Sequence, residues 1–144
     1  MVREVTNADF DGLMRLYMQL HGNPFPERDG RIEGIWQGIL KDVNHHIIVA
    51  EEGGEIVASC VCVIIPNLTH GQRSYALIEN VVTDENFRRR GYGLACLEYA
   101  RGIAERENCY KIMLLTGAKD EGTLRFYEKC GYNRNDKTAF IRWL

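Results

Sequence analysis

A short apolar segment that leads through a basic turn into a helix constrains this chain more than any other part of its sequence. Residues 76–82 are apolar except for Glu79 and Asn80, which predicts a mostly buried strand with polar residues near its end. Residues 83–86 end that strand. A helix is predicted from Gly91 to about residue 107, because apolar residues recur there on one face. We expect this helix to cover a sheet.

The turn between that strand and that helix has the chemistry of an anion site. Arg88, Arg89 and Arg90 are followed at once by Gly91 and, two residues later, by Gly93. Glycines let the backbone approach a ligand, and the first amides of a helix have no partner within the helix and carry a partial positive charge. A pyrophosphate would suit this place. The alternative is a solvated basic turn in which the glycines only start the helix.

Two motifs support the first interpretation. The segment Arg88-x-x-Gly91-x-Gly93 resembles the acyl-CoA-binding signature of the GCN5-related N-acetyltransferase (GNAT) superfamily, Gln/Arg-x-x-Gly-x-Gly/Ala. Downstream, residues 126–132 read FYEKCGY and resemble the Phe-Tyr-x-x-x-Gly-Phe segment of the same superfamily. Neither a Walker loop nor a dinucleotide-binding fingerprint is present.

This resemblance implies a fold for nearly the whole chain. With 144 residues, residues 1–144 are expected to form a single GNAT acetyltransferase domain. The fold class is α+β: the GNAT fold, with a mixed, mostly antiparallel central sheet, a splay between the fourth and fifth strands, and helices on both faces. The pantetheine arm of the cofactor is expected in that splay.

Local signals predict where several elements begin and end. Asp9 is expected to cap a first helix and Asp120 to cap the last one, which stops at Gly131. Tyr132 and the residues after it, including 138–144, are expected to form a final hairpin. The proline-containing loop at 23–30 could either wall a substrate site or simply link two helices.

The resemblance also implies which residues hold acetyl-CoA, the expected co-substrate. Main-chain groups of the central strand's end and of the basic turn would bind the pantetheine arm and the pyrophosphate. Three positions of the last helix are added to this cofactor-binding set, although Phe126 could equally belong to the core. The full set is Val81, Val82, Thr83, Arg88, Arg89, Arg90, Gly91, Tyr92, Gly93, Leu94, Asp120, Thr123 and Phe126.

Two residues are candidates for catalysis. Tyr127 matches the tyrosine of the family's Phe-Tyr segment, and a phenol is a proton donor at neutral pH, so Tyr127 is the candidate acid. It could instead pack in the core. Glu79 interrupts an apolar strand and is the candidate base, acting through ordered water; a structural ion pair is the alternative. Asn80 is expected to face away from Glu79.

Composition excludes several other classes. A formal net charge of −2 and a basic cluster confined to residues 88–90 argue against a nucleic-acid surface. No apolar run suggests a membrane segment. The five cysteines have no metal-site spacing and are expected to be buried apolar groups in the cytoplasm, so no metal is predicted. Homodimerisation is implied by the resemblance alone.

The expected activity is transfer of an acetyl group from acetyl-CoA to the primary amine of a small molecule, by direct transfer. The alternatives are a protein or peptide N-acetyltransferase and a non-catalytic acyl-CoA-binding sensor. Residues 78–82, 109–112 and 126–131 locally resemble the glucosamine-6-phosphate N-acetyltransferases. That family reads Glu-Asp where this chain has Glu79-Asn80, and it has an asparagine where Asp120 or Thr123 stands, which leaves the acceptor open.

Overall fold

A central sheet organises the chain, and the computed structural model describes residues 1–144. Its five strands lie side by side in chain order: β1, Val2–Glu4; β2, His45–Glu52; β3, Glu55–Ile65; β4, Tyr75–Thr83; and β5, Ile112–Leu114. Neighbouring strands are antiparallel except β4 and β5, which are parallel. The predicted mixed, mostly antiparallel sheet is confirmed.

Helices cover both faces of this sheet, as predicted. They are α1, Phe10–Tyr17; α2, Gly30–Lys41; α3, Tyr92–Arg106; and α4, Glu121–Lys129. On the face covered by α1 and α2, here the α1 face, Phe10 and Trp36 pack on side chains of β2 and on Val61 of β3. On the opposite face, here the α3 face, Cys60 and Cys62 of β3 pack against α3. This alternation follows from the two-residue period of a strand.

The start of α1 differs from the prediction. Asp9 does not accept a hydrogen bond from the amides of α1; instead it lies in a short 3₁₀ turn, and its carboxylate accepts from Thr6 N at 2.6 Å and from Arg3 at 2.7 Å. The Arg3 guanidinium holds the pKa of Asp9 at about 2. Arg3 also bonds Glu51 of β2, at 2.9 Å, so this network ties the start of α1 to the sheet. The sequence predicts a cap at Asp9 because an acid before an apolar helix is the usual signal of one.

The final hairpin predicted from Tyr132 onward is wrong. No strand follows Leu114. Arg134 contacts α4, because its guanidinium bonds Glu121 and Glu128. The residues beyond Arg134 pair with no strand, and Phe140 and Trp143 are each 90% exposed. The β-branched and aromatic residues of 138–144 favour a strand but do not supply the neighbouring edge that a strand needs.

Cysteine burial is confirmed in part. Cys60, Cys62 and Cys96 are fully buried on the α3 face, whereas Cys109 and Cys130 are only half-buried. None of the helices is both long and apolar enough to cross a bilayer.

Candidate active site

The beginning of α3 is an uncapped helix N-terminus. Gly91 is its N-cap residue, with φ of +88°, and no side chain accepts from the amides of the first turn. The other two helices with a regular start are capped: Asp29 accepts from Ile32 N in α2, and Asp120 accepts from Thr123 N in α4, each at 2.9 Å. The free amides of α3 are therefore donors for a ligand from outside the chain.

The arginines before α3 are not neutralised by acids. No ion pair in the chain involves residues 88–90. Arg88 Nε donates to Thr83 O at 3.3 Å, and the Arg90 guanidinium lies 5.0 Å from the centre of the Phe87 ring. Arg89 is exposed, with φ of +63°. Three unpaired cations beside a free helix N-terminus give this end of β4 a strong positive potential.

The two glycines of the turn have different structural roles. Gly91 needs its left-handed backbone, and a β-carbon there would meet nothing within 4 Å, so the space in front of it is open. Gly93 is buried, and a β-carbon there would lie 3.1 Å from Thr83 Oγ1 and 3.3 Å from Phe126 Cζ. Gly93 thus allows α3 to pack against β4 and α4, while its amide remains in the first turn.

A gap opens between β4 and β5 next to this helix N-terminus. The two strands pair from Ala76–Ile112 to Ile78–Leu114, where β5 ends. Residues 79–83 of β4 continue beyond the last pair, so on this side they have no strand beside them. This segment, which includes Val81, Val82 and Thr83, therefore borders a gap that the sequence could only suggest by resemblance.

A β-bulge lies at the start of this unpaired half of β4. Asn80 has φ of +50°, and the register with β3 shifts between Ser59 and Val61. Glu79 pairs with Val61, whose side chain is on the α1 face, so Glu79 points to that face. Because the bulge adds a residue, Asn80 lies on the same side and approaches Tyr17 of α1. The prediction that Asn80 faces away from Glu79 is wrong.

The candidate acid and base lie on opposite faces of the sheet. Glu79 is exposed and makes no ion pair. Tyr127, in α4, is half-buried against the apolar cluster on the α3 face, and its ring contacts Phe126 and Tyr132. Burial, together with the nearby Cys130, raises the pKa of Tyr127 above that of a free phenol, so it keeps its proton at neutral pH.

The three positions of α4 in the predicted cofactor set have identifiable structural roles. The Asp120 carboxylate accepts from the Thr123 amide, and this bond lowers the pKa of Asp120. Phe126 lies under the first turn of α3 through Gly93. These contacts place Phe126 next to the first turn of α3, whereas the carboxylate of Asp120 is already used within its own helix.

A second opening in the structure is separate from this gap. A cavity of about 570 Å³ lies along the outer edge of β5, between α3, α4 and the C-terminal residues. Tyr127 lines it, but no residue of the turn at 88–93 does. It is open because no strand pairs with the outer edge of β5.

Two residues near β4 were missed in the sequence. Tyr17 and Gln19, at the end of α1, both contact the β4 region: Tyr17 approaches the bulge, and Gln19 bonds Asp84 and Glu85. Tyr17 fitted the apolar stripe of α1 and Gln19 its polar side, so no pattern in the sequence distinguished them.

Comparison with known proteins agrees with this geometry. The acetyltransferase (GNAT) family matches residues 10–132. A glucosamine 6-phosphate N-acetyltransferase of Trypanosoma brucei brucei is 36% identical over 84 residues, which cover 58% of this chain and 55% of that enzyme. The chain therefore spans about half the length of that relative.

Solved structures extend the likeness to the whole fold. A protein of Agrobacterium tumefaciens described as an acetyltransferase superposes with a TM-score of 0.91 at 38% identity, over 99% of both chains. The glucosamine-6-phosphate N-acetyltransferase of Arabidopsis thaliana superposes with a TM-score of 0.87 at 25% identity, over 99% of this chain and 97% of that one. With the family match running from α1 through Tyr132, the chain belongs to the GNAT family of N-acetyltransferases, which use acetyl-CoA.

Proposed function

We propose that this protein transfers an acetyl group from acetyl-CoA directly to the primary amine of a small molecule. The observation that carries the proposal is the uncapped N-terminus of α3, flanked by unpaired arginines, at the end of a strand whose other side is open. This arrangement offers main-chain donors and positive charge to a pyrophosphate, and a slot beside β4 to an extended arm.

The residues present fit acetyl-CoA. Amides of residues 91–94 and the side chains of Arg88, Arg89 and Arg90 would bind the pyrophosphate. Main-chain groups of residues 81–83 would pair with the pantetheine arm in place of a strand. Phe126 supports the first turn of α3 from beneath, and Asp120 and Thr123, at the start of α4, complete the proposed cofactor-binding set.

The placement of Glu79 and Tyr127 suits direct transfer. Acetyl-CoA supplies the acetyl group, and coenzyme A leaves as the free thiol. Glu79, on the α1 face, would accept the proton of the amine through ordered water as the nitrogen forms its new bond. Tyr127, on the α3 face, would donate a proton to the departing sulfur. Since the two side chains act from opposite faces, the acceptor and the leaving group need not compete for the same space.

The acceptor class is a small amine that approaches on the α1 face. Glu79 and Asn80 are both exposed there, so they offer a carboxylate and an amide to a cationic, polar acceptor. Glucosamine 6-phosphate belongs in any test, because two relatives carry that substrate in their names. Because the neutral Asn80 stands where that family of enzymes has an acid, other small amines are equally good candidates for the acceptor.

A homodimer in the cytoplasm is also part of the proposal. The apolar side chains of Phe140, Ile141 and Trp143 are exposed, and a second copy would bury them. Three fully buried thiols suit a reducing compartment. Light scattering after size exclusion would test the dimer: a mass near twice 16.5 kDa supports it and a mass of 16.5 kDa contradicts it.

Two measurements test the activity. Calorimetry with coenzyme A and acetyl-CoA should show binding, and free-thiol release should be measured with a panel of sugar amines, polyamines, amino acids and peptides. Turnover on peptides alone would favour a protein acetyltransferase, binding without thiol release a sensor, and no heat with either ligand would overturn the cofactor site.

The proposed acid has its own test. Tyr127→Phe should lower kcat by about 10²-fold while leaving the dissociation constant of coenzyme A unchanged. Tyr132→Phe is the matched control, because it removes a phenol from the same aromatic cluster. Equal rates for Tyr127→Phe and the wild type would remove Tyr127 from the mechanism.

A further inference from the structure

The chain that leaves α1 is bonded to the turn that precedes the anion site. Gln19 Nε2 donates to Asp84 Oδ2 at 2.7 Å, and Gln19 Oε1 accepts from Glu85 N at 3.0 Å. Both ends of one side-chain amide are therefore used on two consecutive residues. Asp84 directly follows β4, and its other carboxylate oxygen accepts from Asn86 N at 2.9 Å. Gln19 thus fixes the backbone between β4 and the arginines.

A second contact from α1 reaches β4 at the bulge. The Tyr17 hydroxyl is fully buried beside Ser59 and Asn80, although no atom pair there has hydrogen-bonding geometry. Ser59 is also fully buried, and its hydroxyl has no partner. Two unpartnered hydroxyls thus lie beside Asn80, whose left-handed backbone forms the bulge that follows Glu79. Buried polar groups are normally hydrogen-bonded, so the Tyr17 and Ser59 hydroxyls and the Asn80 amide are placed to bond one another after a small side-chain rotation, which would hold the bulge.

We propose that Tyr17 and Gln19 are positioning residues for acetyl transfer: Gln19 fixes the turn that precedes the phosphate-binding residues, and Tyr17 fixes the bulge that orients Glu79 and the main chain beside the thioester. This inference rests on the proposed function. It assigns to α1 a task beyond packing on the sheet, because its end controls both halves of the proposed acetyl-CoA site.

The two residues have separable effects. Gln19 acts on the turn that leads into the phosphate-binding residues, so its loss weakens cofactor binding but leaves the reacting groups in place. Tyr17 acts on the bulge, so its loss moves the groups around the reacting carbon, where small displacements cost rate more than affinity. Packing alone would predict neither pattern, because a packing defect lowers stability and affects binding and rate together.

The test compares two variants with two controls. Gln19→Ala should raise the dissociation constant of coenzyme A, measured by calorimetry, by about tenfold with little change in kcat at saturation. Tyr17→Phe should lower kcat by about tenfold with an unchanged dissociation constant and an unchanged melting temperature. The first control, Gln37→Ala, removes a side-chain amide of α2 that bonds Asn7 and Glu33. The second, Tyr99→Phe, removes a phenol from α3. Both controls should behave as the wild type.

The outcomes separate the inference from the function beneath it. If the wild-type protein neither binds coenzyme A nor releases thiol with any amine, the proposed function fails. If the wild type is active but Gln19→Ala binds coenzyme A as tightly as Gln37→Ala, the role of Gln19 is overturned. If Tyr17→Phe turns over at the rate of Tyr99→Phe, the role of Tyr17 is overturned.

Discussion

Gly93 lies so close to the ring of Phe126 that a β-carbon on residue 93 would stand 3.3 Å from Phe126 Cζ. The same β-carbon would meet Thr83 Oγ1 at 3.1 Å. Helix α3, strand β4 and helix α4 therefore meet at one residue without a side chain. That contact lies directly beneath the amides that are proposed to bind phosphate, so the glycine sets the position of the helix N-terminus relative to the strand.

Gly93→Ala should destabilise the fold. The added methyl group must displace the Phe126 ring or Thr83, and overpacking of this kind costs about 1–3 kcal/mol. Urea unfolding measures the change. Gly102→Ala is the matched control in the same helix, since its β-carbon would only touch Arg106 at 3.5 Å. That control should gain about 0.5–1 kcal/mol, because alanine is the better helix former. Equal stability for the two variants would contradict the contact.

The bulge at Asn80 predicts a distinction between two small replacements. Asn80→Gly keeps the left-handed backbone at little cost, whereas Asn80→Ala should lose about 1–2 kcal/mol, because a β-carbon disfavours a φ of +50°. Thermal unfolding of both variants checks this difference. If the Asn80 amide also contacts the acceptor, Asn80→Gly will lower thiol release even though its bulge is intact. A more stable Asn80→Ala would show that the bulge is not under this strain.

These residues show what the sequence could and could not predict. Strong periodic patterns located the sheet, α3 and α4, and the Asp120 cap is where an acid before an amphipathic helix predicts one. The bulge at Asn80 was not predictable, because a local change of backbone conformation produces no periodic pattern in the sequence. Gly91 and Gly93 look alike as letters, yet one serves a left-handed φ and the other a packing contact. Both distinctions depend on neighbours distant in the chain.

Contacts between distant segments also account for the largest error and the main omission. The apolar residues of 138–144 favour a strand, but the sequence does not reveal whether an edge is within reach. Gln19 and Glu85 are 66 residues apart, and neither is unusual in its own element. Side-chain bonds of this kind depend on the completed fold, so they emerge only once the strands and helices are placed.

Stability should fall in alkaline solution. Burial raises the pKa of the Cys62 and Cys96 thiols to about 12, whereas thiols of the unfolded chain have a pKa of about 8.5. The folded state thus keeps protons that the unfolded state releases. Its advantage is complete below about pH 8.5 and is lost as the pH rises towards 12, at about 1.4 kcal/mol per pH unit for each thiol.

Urea unfolding between pH 8 and pH 10.5 at constant ionic strength measures this slope. The free energy of unfolding of Cys96→Ala, compared with its own value at pH 8, should fall less steeply with pH than that of the wild type. The difference corresponds to about one proton released on unfolding. A free energy of unfolding that stays constant from pH 8 to pH 10 would contradict the burial of these thiols.

Replacing Arg89 should separate binding from stability. Arg89 is exposed, makes no ion pair and has φ of +63°, which glycine adopts more easily than arginine. Arg89→Gly should therefore unfold at the same temperature as the wild type or higher. It should also bind coenzyme A several-fold more weakly at low ionic strength, and this loss should shrink in 0.5 M salt because screening weakens the attraction in both proteins. Arg31→Ala, which removes an exposed arginine from α2, controls for the change in net charge. If Arg89→Gly binds coenzyme A as tightly as the wild type at low salt, this arginine adds nothing to phosphate binding. If instead the variant loses affinity but not stability, a strained, unpaired cation is retained for its ligand.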